Sequence, residues 1–483
     1  MKLALPRNED ANRPLLLLLG GAIVFAIVVA YSIVYPNPYL WLGVLFVFLV
    51  LVIAKSNVAG LYLITLSIFF SDWLVQLGLI PAPVTLGPEV IVTLYFIKSF
   101  LVRPRRMNSR FFLLFIPFAV SALISLLATF GEESLVTILF GFRSLFRFVV
   151  LFYVVQVLPY TERQIKRFIA FLYAILLIQI PVAVVKLFIH GQGEAAIGTY
   201  GESFGTYSTI LPLIGICIFF GIHYFIRRSV WNIVACAGFM AFGIIGMKRA
   251  LVVFFPLIML YLMFSIPKAA HSRQRRAVTY VLLAVFLGLG VWAPLTFMRT
   301  LREDPLGYAI AYETAMSGDQ SMGRASTSVM IFHHLTRSPM RFLFGYSPGS
   351  FQKSLWSQYV GRIRRDMGTW GIMYGTSGFS WSALEFGYLG ALLYLVPIVY
   401  LFFVARRGFH SDPDPYWRAL SFSAAGIAFT SVAIYMVYSI FFRLDIAAFI
   451  VFFLGGLVYR REAASRMEGA PPAFLPEGEG DGR

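Results

Sequence analysis

The sequence predicts an all-α polytopic membrane protein, and three observations lead to that class. Hydrophobic residues make up 59% of the chain, charged residues only 13%, and the mean hydropathy is +0.77, whereas soluble domains carry about 25% charged residues. Apolar runs of roughly 20 residues, the length that crosses a bilayer as a helix, recur along the chain. The two cysteines, Cys217 and Cys236, lie inside apolar runs, which argues against a disulfide framework or a thiolate metal site.

Fourteen apolar runs predict membrane-spanning helices. The second and the last are short, so we expect twelve to fourteen helices in total. The predicted helices cover residues 14–34, 39–54, 58–80, 86–102, 111–130, 136–158, 169–189, 206–226, 231–247, 250–267, 278–297, 380–404, 419–442 and 444–459.

These helices divide the chain into five parts. Eleven helices precede one large hydrophilic segment and three follow it. The parts are an N-terminal segment (1–13), the first helices (14–297), a large loop (298–379), the last helices (380–459) and a tail (460–483). Because the tail is rich in Pro, Gly and Glu, we expect it to be disordered.

The positions of Lys and Arg predict the topology. Short loops that carry them tend to stay in the cytoplasm. Such loops include 103–110, 163–167, 227–228, 268–276, 406–418 and 460–461, whereas those near 35–38, 81–85, 131–135 and 190–205 carry none. We therefore expect both termini in the cytoplasm and the large loop outside, so the net charge of +17 reflects topology and not a nucleic-acid partner.

The large loop is basic, with nine Lys and Arg residues against five acids. Long loops are usually functional when they are ordered. Helical periodicity predicts two helices in it, over 322–336 and 349–365, separated by the turn-forming sequence GYSPG at 345–349.

Two arginines interrupt the predicted sixth helix. Arg143 and Arg147 are four residues apart and share one helix face. Each costs about 2.5 to 3.5 kcal/mol at a helix centre, so we expect an anion against them. That anion is either a substrate group or a structural carboxylate such as Asp72, Glu385 or Asp445.

A second basic pair, Lys248 and Arg249, lies where the topology places the outer boundary of the membrane. The pair is either an interfacial anchor or part of a cationic site. Together with the basic loop it favours a site for a phosphate anion at the outer interface, since guanidinium groups bind phosphate oxygens in a bidentate fork.

Other candidate sites are weaker. His333 and His334 are neighbours on a predicted helix and point about 100° apart, so they do not chelate one metal together. Asp412 and Asp414 in the sequence DPDP look like a carboxylate pair for a metal, but a solvated turn is the better interpretation.

Three stretches carry a resemblance to a known family. They are GMKRALVV at 246–253, GRASTSVMIFHHLTRSPMRFLFGYSPGSF at 323–351 and TSGFSWSALEFGYLGALLYL at 376–395, with a looser match in GTYGESFGTYSTILPLIG at 198–215. Together they resemble the O-antigen ligase and polymerase superfamily, whose members are membrane glycosyltransferases acting on undecaprenyl-diphosphate-linked glycans. Arg249 and Arg324 fall on the family's arginine positions.

The third stretch matches at Glu385, Gly387 and Gly390 but departs at one point. Thr376 and Ser377 stand where the ligases have a His-Asn pair. Because that histidine is linked to the ligase acceptor, its absence favours a polymerase of O-antigen, capsule or exopolysaccharide repeats over a ligase.

The resemblance implies a GT-C-like fold and an inverting, metal-independent transfer at the periplasmic side of the bacterial inner membrane. No cofactor or metal is expected. The expected partners are the lipid-diphosphate-linked glycan donor and acceptor, the lipid bilayer and, as a further candidate, a chain-length regulator. The implied site comprises catalytic Arg249, Arg324 and Glu385, and substrate-binding Arg143, Arg147, Lys248, Arg299, Tyr200 and His333.

Two questions stay open at this stage. The proton acceptor could be Glu385, Glu202, His333, His334 or Asp366. The alternative functions are an O-antigen ligase and a lipid-linked oligosaccharide flippase or other transporter, which would also need intramembrane cations. The motifs of peptidoglycan glycosyltransferases are not found.

Overall fold

The fold is built from α-helices. The computed structural model describes residues 38–80, 82–101, 110–191, 193, 196–199, 207–246, 250–266, 273–297, 323–351, 360–368, 376–437 and 445–466. This part of the chain contains no β-strand. Its helices are α1 (Pro38–Lys55), α2 (Ala59–Gln76), α3 (Gly87–Leu101), α4 (Arg110–Ala128), α5 (Leu135–Val157), α6 (Glu162–His190), α7 (Tyr207–Phe225), α8 (Val230–Ile245), α9 (Leu251–Ser265), α10 (Arg273–Phe297), α11 (Arg324–Thr336), α12 (Pro339–Phe344), α13 (Arg362–Gly368), α14 (Gly378–Ser411), α15 (Pro415–Tyr435) and α16 (Asp445–Arg466), with a 3₁₀ turn at Ala82–Leu86.

The predicted class is confirmed as an all-α, multi-pass membrane protein. Eight helical segments are long and apolar enough to cross a bilayer, and four shorter apolar ones accompany them among the described residues. Every predicted span from 39–54 onward overlaps a described helix, whereas the first, at 14–34, lies outside the described residues.

The interior of the bundle is formed around α7 and α15. The apolar window of α7 is 83% buried and that of α15 is 78% buried, whereas the corresponding window of α3 is only 28% buried. α15 packs against both α7 and α14, α14 packs against α4, and α5 packs against α16. This arrangement places α7 and α15 in the interior, with α14 packed between α15 and α4, and leaves α3 on the periphery.

Several helices are longer than predicted. α6 begins at Glu162 because Thr161 and Gln164 form a capping box, in which Gln164 N–H donates to Thr161 Oγ1 at 3.2 Å and Thr161 N–H to Gln164 Oε1 at 2.9 Å. The basic residues at 163–167 therefore lie on the first turns of a helix and not in a loop. Their predicted side of the membrane stays a prediction.

The tail prediction is wrong for its first residues, since α16 continues through Arg466. Arg460 is buried there because its Nη1 donates to the carbonyl oxygens of Val155 (3.1 Å) and Leu158 (2.7 Å) at the end of α5. These two carbonyl oxygens hold the part of α16 that continues beyond its apolar run. Residues 467–483 lie outside the described residues.

The large loop is partly as predicted. α11 confirms the helix expected over 322–336, whereas the helix expected over 349–365 is wrong at 349–351 and 360–361. Residues 348–351 form a turn, residues 352–359 lie outside the described residues, and α13 begins at Arg362. Gly361 packs directly on the turn, because a Cβ there would collide with the carbonyl oxygen of Ser350. α12, which was not predicted, begins with Ser338 and Pro339 at its N-cap and N1 positions.

The DPDP sequence forms a helix cap and an ion pair. Asp414 Oδ1 accepts the N–H of Tyr416 at 2.8 Å and so caps α15. Asp412 pairs with Arg461 on α16, with an Oδ2 to Nε distance of 2.9 Å. The turn is confirmed, but the prediction that it is solvated is wrong for Asp412, whose side chain is 10% exposed.

Candidate functional site

Arg324 is the first residue of α11 and lies close to the start of α14. Ser328, one helical turn further on the same face, hydrogen-bonds through Oγ to Ser380 Oγ at 3.1 Å. Ser380 lies in the first turn of α14, where its N–H donates to Ser377 Oγ at 3.0 Å. The half-buried Arg324 is therefore anchored one turn from the positive end of a second helix.

The turn at 345–351 is inserted between α5 and α14. Tyr346 N–H donates to the Leu384 carbonyl at 2.8 Å, and Ser347 N–H to the Glu385 carbonyl at 3.1 Å. Gly349 has φ of +84°, and a Cβ there would collide with the carbonyl of Thr137 on α5. Only glycine tolerates both the positive φ and the close approach to α5, which explains the glycine at the end of the GYSPG sequence.

Glu385 holds this turn in place. Its side chain is fully buried, and its Oε1 accepts the N–H of Phe351 at 3.2 Å. Ser125 on α4 donates to the carbonyl oxygen of Glu385 at 2.8 Å. Two residues later α14 breaks at Gly387, where φ is +72° and ψ is 174°. The carboxylate therefore has a positioning role, and its predicted catalytic role stays a prediction.

A group of buried hydroxyls surrounds this junction, and the sequence analysis missed it. Tyr435 on α15 donates to Ser382 Oγ on α14. Thr327 Oγ1 and Ser350 Oγ are buried without a hydrogen-bond partner in the described part of the chain. Such groups cost free energy unless something satisfies them, so the junction suits a polar ligand. The serine-rich runs ASTS and SGFSWS were the available signal.

A second cluster lies at the end of α11. The His334 ring stacks on Tyr346, with centroids 5.2 Å apart, and the Arg341 guanidinium lies 4.6 Å from the centroid of the same tyrosine. Burial, and then the charges of Arg337 and Arg341, lower the pKa of His334 below its usual value. His334 is therefore neutral at pH 7.

His333 faces another way. It is exposed, and its ring lies 6.1 Å from that of Phe332. The two histidines do point in different directions, as their adjacent positions on a helix require. The predicted substrate-binding role of His333 stays a prediction.

Two acids between α4 and α5, Glu132 and Glu133, bind arginines of the loop helices α12 and α13. Arg362 Nη2 lies 2.8 Å from Glu132 Oε2, and the Arg362 N–H donates to Glu133 Oε1 at 2.9 Å. Arg341 Nη2 lies 3.8 Å from Glu132 Oε1. Burial raises the pKa of Glu133, and the nearby Arg362 opposes the rise. At least two of the nine basic loop residues therefore serve to attach the loop.

Arg143 and Arg147 share one carboxylate. Glu89, in the first turn of α3, lies 3.1 Å from Arg143 Nη2 through its Oε1, and the same oxygen contacts Arg147 Nη1. The side chains of Arg147 and Glu89 are only 7% and 12% exposed, whereas that of Arg143 is 32% exposed. The sequence analysis expected an anion here but did not name Glu89, because nothing in the sequence places α3 beside α5.

Four of the predicted site residues, Tyr200, Lys248, Arg249 and Arg299, lie outside the described residues, as does Glu202. The segments that flank them do meet: a Cβ on Gly246, at the end of α8, would collide with Ser208 in the first turn of α7. Among the described residues, no group of three or more His, Cys, Asp or Glu side chains is placed to hold a metal ion.

No protein-family model matches the chain, and no curated protein matches it. Function must therefore be argued from the residues and their geometry.

Proposed function

We propose that this protein is a membrane glycosyltransferase that polymerises undecaprenyl-diphosphate-linked oligosaccharide repeats at the outer face of the bacterial inner membrane. One observation supports the proposal most. Two of the three matching stretches, 323–351 and 376–395, pack into one unit through the Ser328 to Ser380 hydrogen bond and the 345–351 turn. Arg324 begins α11, one helical turn before Ser328.

The reaction requires stabilisation of a leaving diphosphate. A sugar hydroxyl of the acceptor attacks C1 of the donor glycan, the bond from C1 to the diphosphate oxygen breaks, and undecaprenyl diphosphate leaves with the bonding electrons. A preorganised donor aimed at the developing charge contributes about a hundred- to a thousand-fold in rate. Arg324 supplies such a donor, and the N-terminal turn of α14 adds its partial positive charge. Arg249 is the proposed second donor.

The acceptor hydroxyl loses its proton to a base in this step. His334 can accept it because a lowered pKa keeps the imidazole neutral at pH 7. Glu385 already uses one carboxylate oxygen to hold Phe351, which favours a supporting role for it in the proposed reaction.

A lipid-linked oligosaccharide transporter is the second candidate, and one observation favours it. Arg143, Arg147 and Glu89 form an ion cluster within predicted spanning helices, and such clusters often mark transport pathways. The transferase accounts for more of the chain, because it also uses Arg324, the turn and the loop helices.

The product profile of a deletion strain tests the proposed function. Loss of a polymerase leaves a single repeat on its final acceptor, loss of a ligase leaves long polymer that is not attached, and loss of a transporter leaves no repeat outside. Complementation with Arg324→Ala should give the single-repeat profile, whereas Arg228→Ala, at an exposed arginine between α7 and α8, should restore long chains. Long chains in the deletion strain itself would refute the proposal.

A further inference from the structure

A groove runs along the side of the bundle between α1, α3 and α5. It has a volume of about 440 Å³, within the range of about 300 to 1,000 Å³ that is typical of ligand sites. Its lining residues include Glu89, Thr93, Leu94, Ile97, Leu139 and Arg143. We call it the lateral groove.

The groove combines an apolar channel with one ionic position. Glu89 lies in the first turn of α3, and Thr93, Leu94 and Ile97 follow over the next two turns. The eight residue steps from Glu89 to Ile97 correspond to about 12 Å along the helix. Leu139 and Ile97 are exposed at the rim, so in a bilayer the groove is open to lipid along its length.

Two guanidinium groups meet at the ionic position. Arg143 and Arg147 both contact the carboxylate of Glu89. Arg143 belongs to the groove wall and is the most exposed of the three side chains. A guanidinium that is partly exposed beside an apolar channel matches the chemistry of a lipid phosphate attached to a long hydrocarbon chain.

We propose that the lateral groove binds the isoprenoid chain of the lipid-diphosphate substrate, with Arg143 facing its phosphate. The proposal rests on the proposed function for the identity of the lipid. The chain lies along α3 between Glu89 and Ile97, and the glycan extends from the phosphate toward the loop helices. Connection to the reaction site is short, because Gly141, two residues before Arg143, packs directly on Gly349 of the 345–351 turn.

The test measures lipid binding apart from catalysis. Purified protein in nanodiscs is labelled by a polyprenyl phosphate that carries a photoreactive diazirine on its chain, and the labelled peptides are identified by mass spectrometry. We expect labels on α3 and α5. Leu139→Trp, which fills the groove, should lower labelling at least ten-fold, and Arg143→Gln should weaken it several-fold. Leu123→Trp is the matched control, because Leu123 is equally exposed on α4 but lies outside the groove.

Each outcome decides the proposal. Labelling of α3 and α5 that Leu139→Trp removes and Leu123→Trp retains supports it, even if no transfer activity is found, and in that case only the proposed function fails. Equal labelling of both variants overturns it. Full displacement by an equal concentration of phosphatidylglycerol also overturns it, because the groove would then be a site for ordinary anionic lipid. If Leu139→Trp polymerises at the wild-type rate, the groove proposal fails while the proposed function stands.

Discussion

Replacing Glu89 by Gln should destabilise the bundle more than any surface charge change. At the 3.1 Å between Glu89 Oε1 and Arg143 Nη2, and with an effective dielectric constant of about 20, the attraction is about 5 kcal/mol. Arg147 adds a second, more buried pair. Desolvation offsets part of this attraction, and removal of one partner from a buried pair costs about 3 to 5 kcal/mol. Glu89→Gln leaves two neighbouring arginines without that carboxylate charge.

The assay is thermal unfolding of purified protein in nanodiscs, with Lys166→Gln as control. Lys166 pairs with Glu162 at 2.7 Å, but the side chains are 40% and 35% exposed, so its loss should cost about 0 to 1 kcal/mol. We expect a clearly lower melting temperature for Glu89→Gln alone. Replacing Arg147 by Gln in the Glu89→Gln background should recover part of the loss. Equal melting temperatures for Glu89→Gln and the wild type would refute the electrostatic reasoning.

Two further predictions concern the loop. Gly349→Ala should lower stability by more than the roughly 1 to 3 kcal/mol expected from a strained backbone angle alone, because its Cβ would also collide with the Thr137 carbonyl. Gly131→Ala is the control, since Gly131 has φ of +88° but open space around it, and it should show the backbone cost only. Equal losses of stability in thermal unfolding would contradict the insertion of the turn between α5 and α14. His334 has a lowered pKa in the folded state, so the unfolded chain binds more protons and stability should fall as the pH drops from about 6.5 through the folded pKa. His334→Gln should flatten that fall in melting temperature between pH 7 and pH 5, and an unchanged pH dependence would contradict the burial of His334.

The spanning helices were predictable because each is an apolar run of bilayer length. The ends of these helices were harder to predict, since they depend on polar contacts outside the apolar run. Thr161 extends α6 through its capping box, and Arg460 extends α16 by binding carbonyl oxygens at the end of α5. The Thr161 cap is local and has the T-x-x-Q spacing of a capping box, whereas the acceptors of Arg460 lie 305 and 302 residues away, so periodicity does not reveal them.

The site was predictable in its residue types and less so in its pairings. The sequence singled out Arg143 and Arg147 as charges that need an anion, but Glu89 is more than fifty residues away and belongs to a different helix. Glu385 was chosen as a catalytic group from a resemblance, whereas its contact with the Phe351 N–H depends on the fold of the loop. A buried carboxylate looks the same in a sequence whether it reacts or holds a turn.

In the proposed reaction, Arg324 and neighbouring cations stabilise a departing lipid diphosphate. The most direct measurement uses purified protein in nanodiscs with a synthetic undecaprenyl-diphosphate-linked repeat, and follows chain length together with released undecaprenyl diphosphate. The account predicts a ladder of products with one lipid diphosphate released per new glycosidic bond, and a rate about a hundred- to a thousand-fold lower in Arg324→Ala. A donor that stays intact, or release at the wild-type rate in Arg324→Ala, would contradict it.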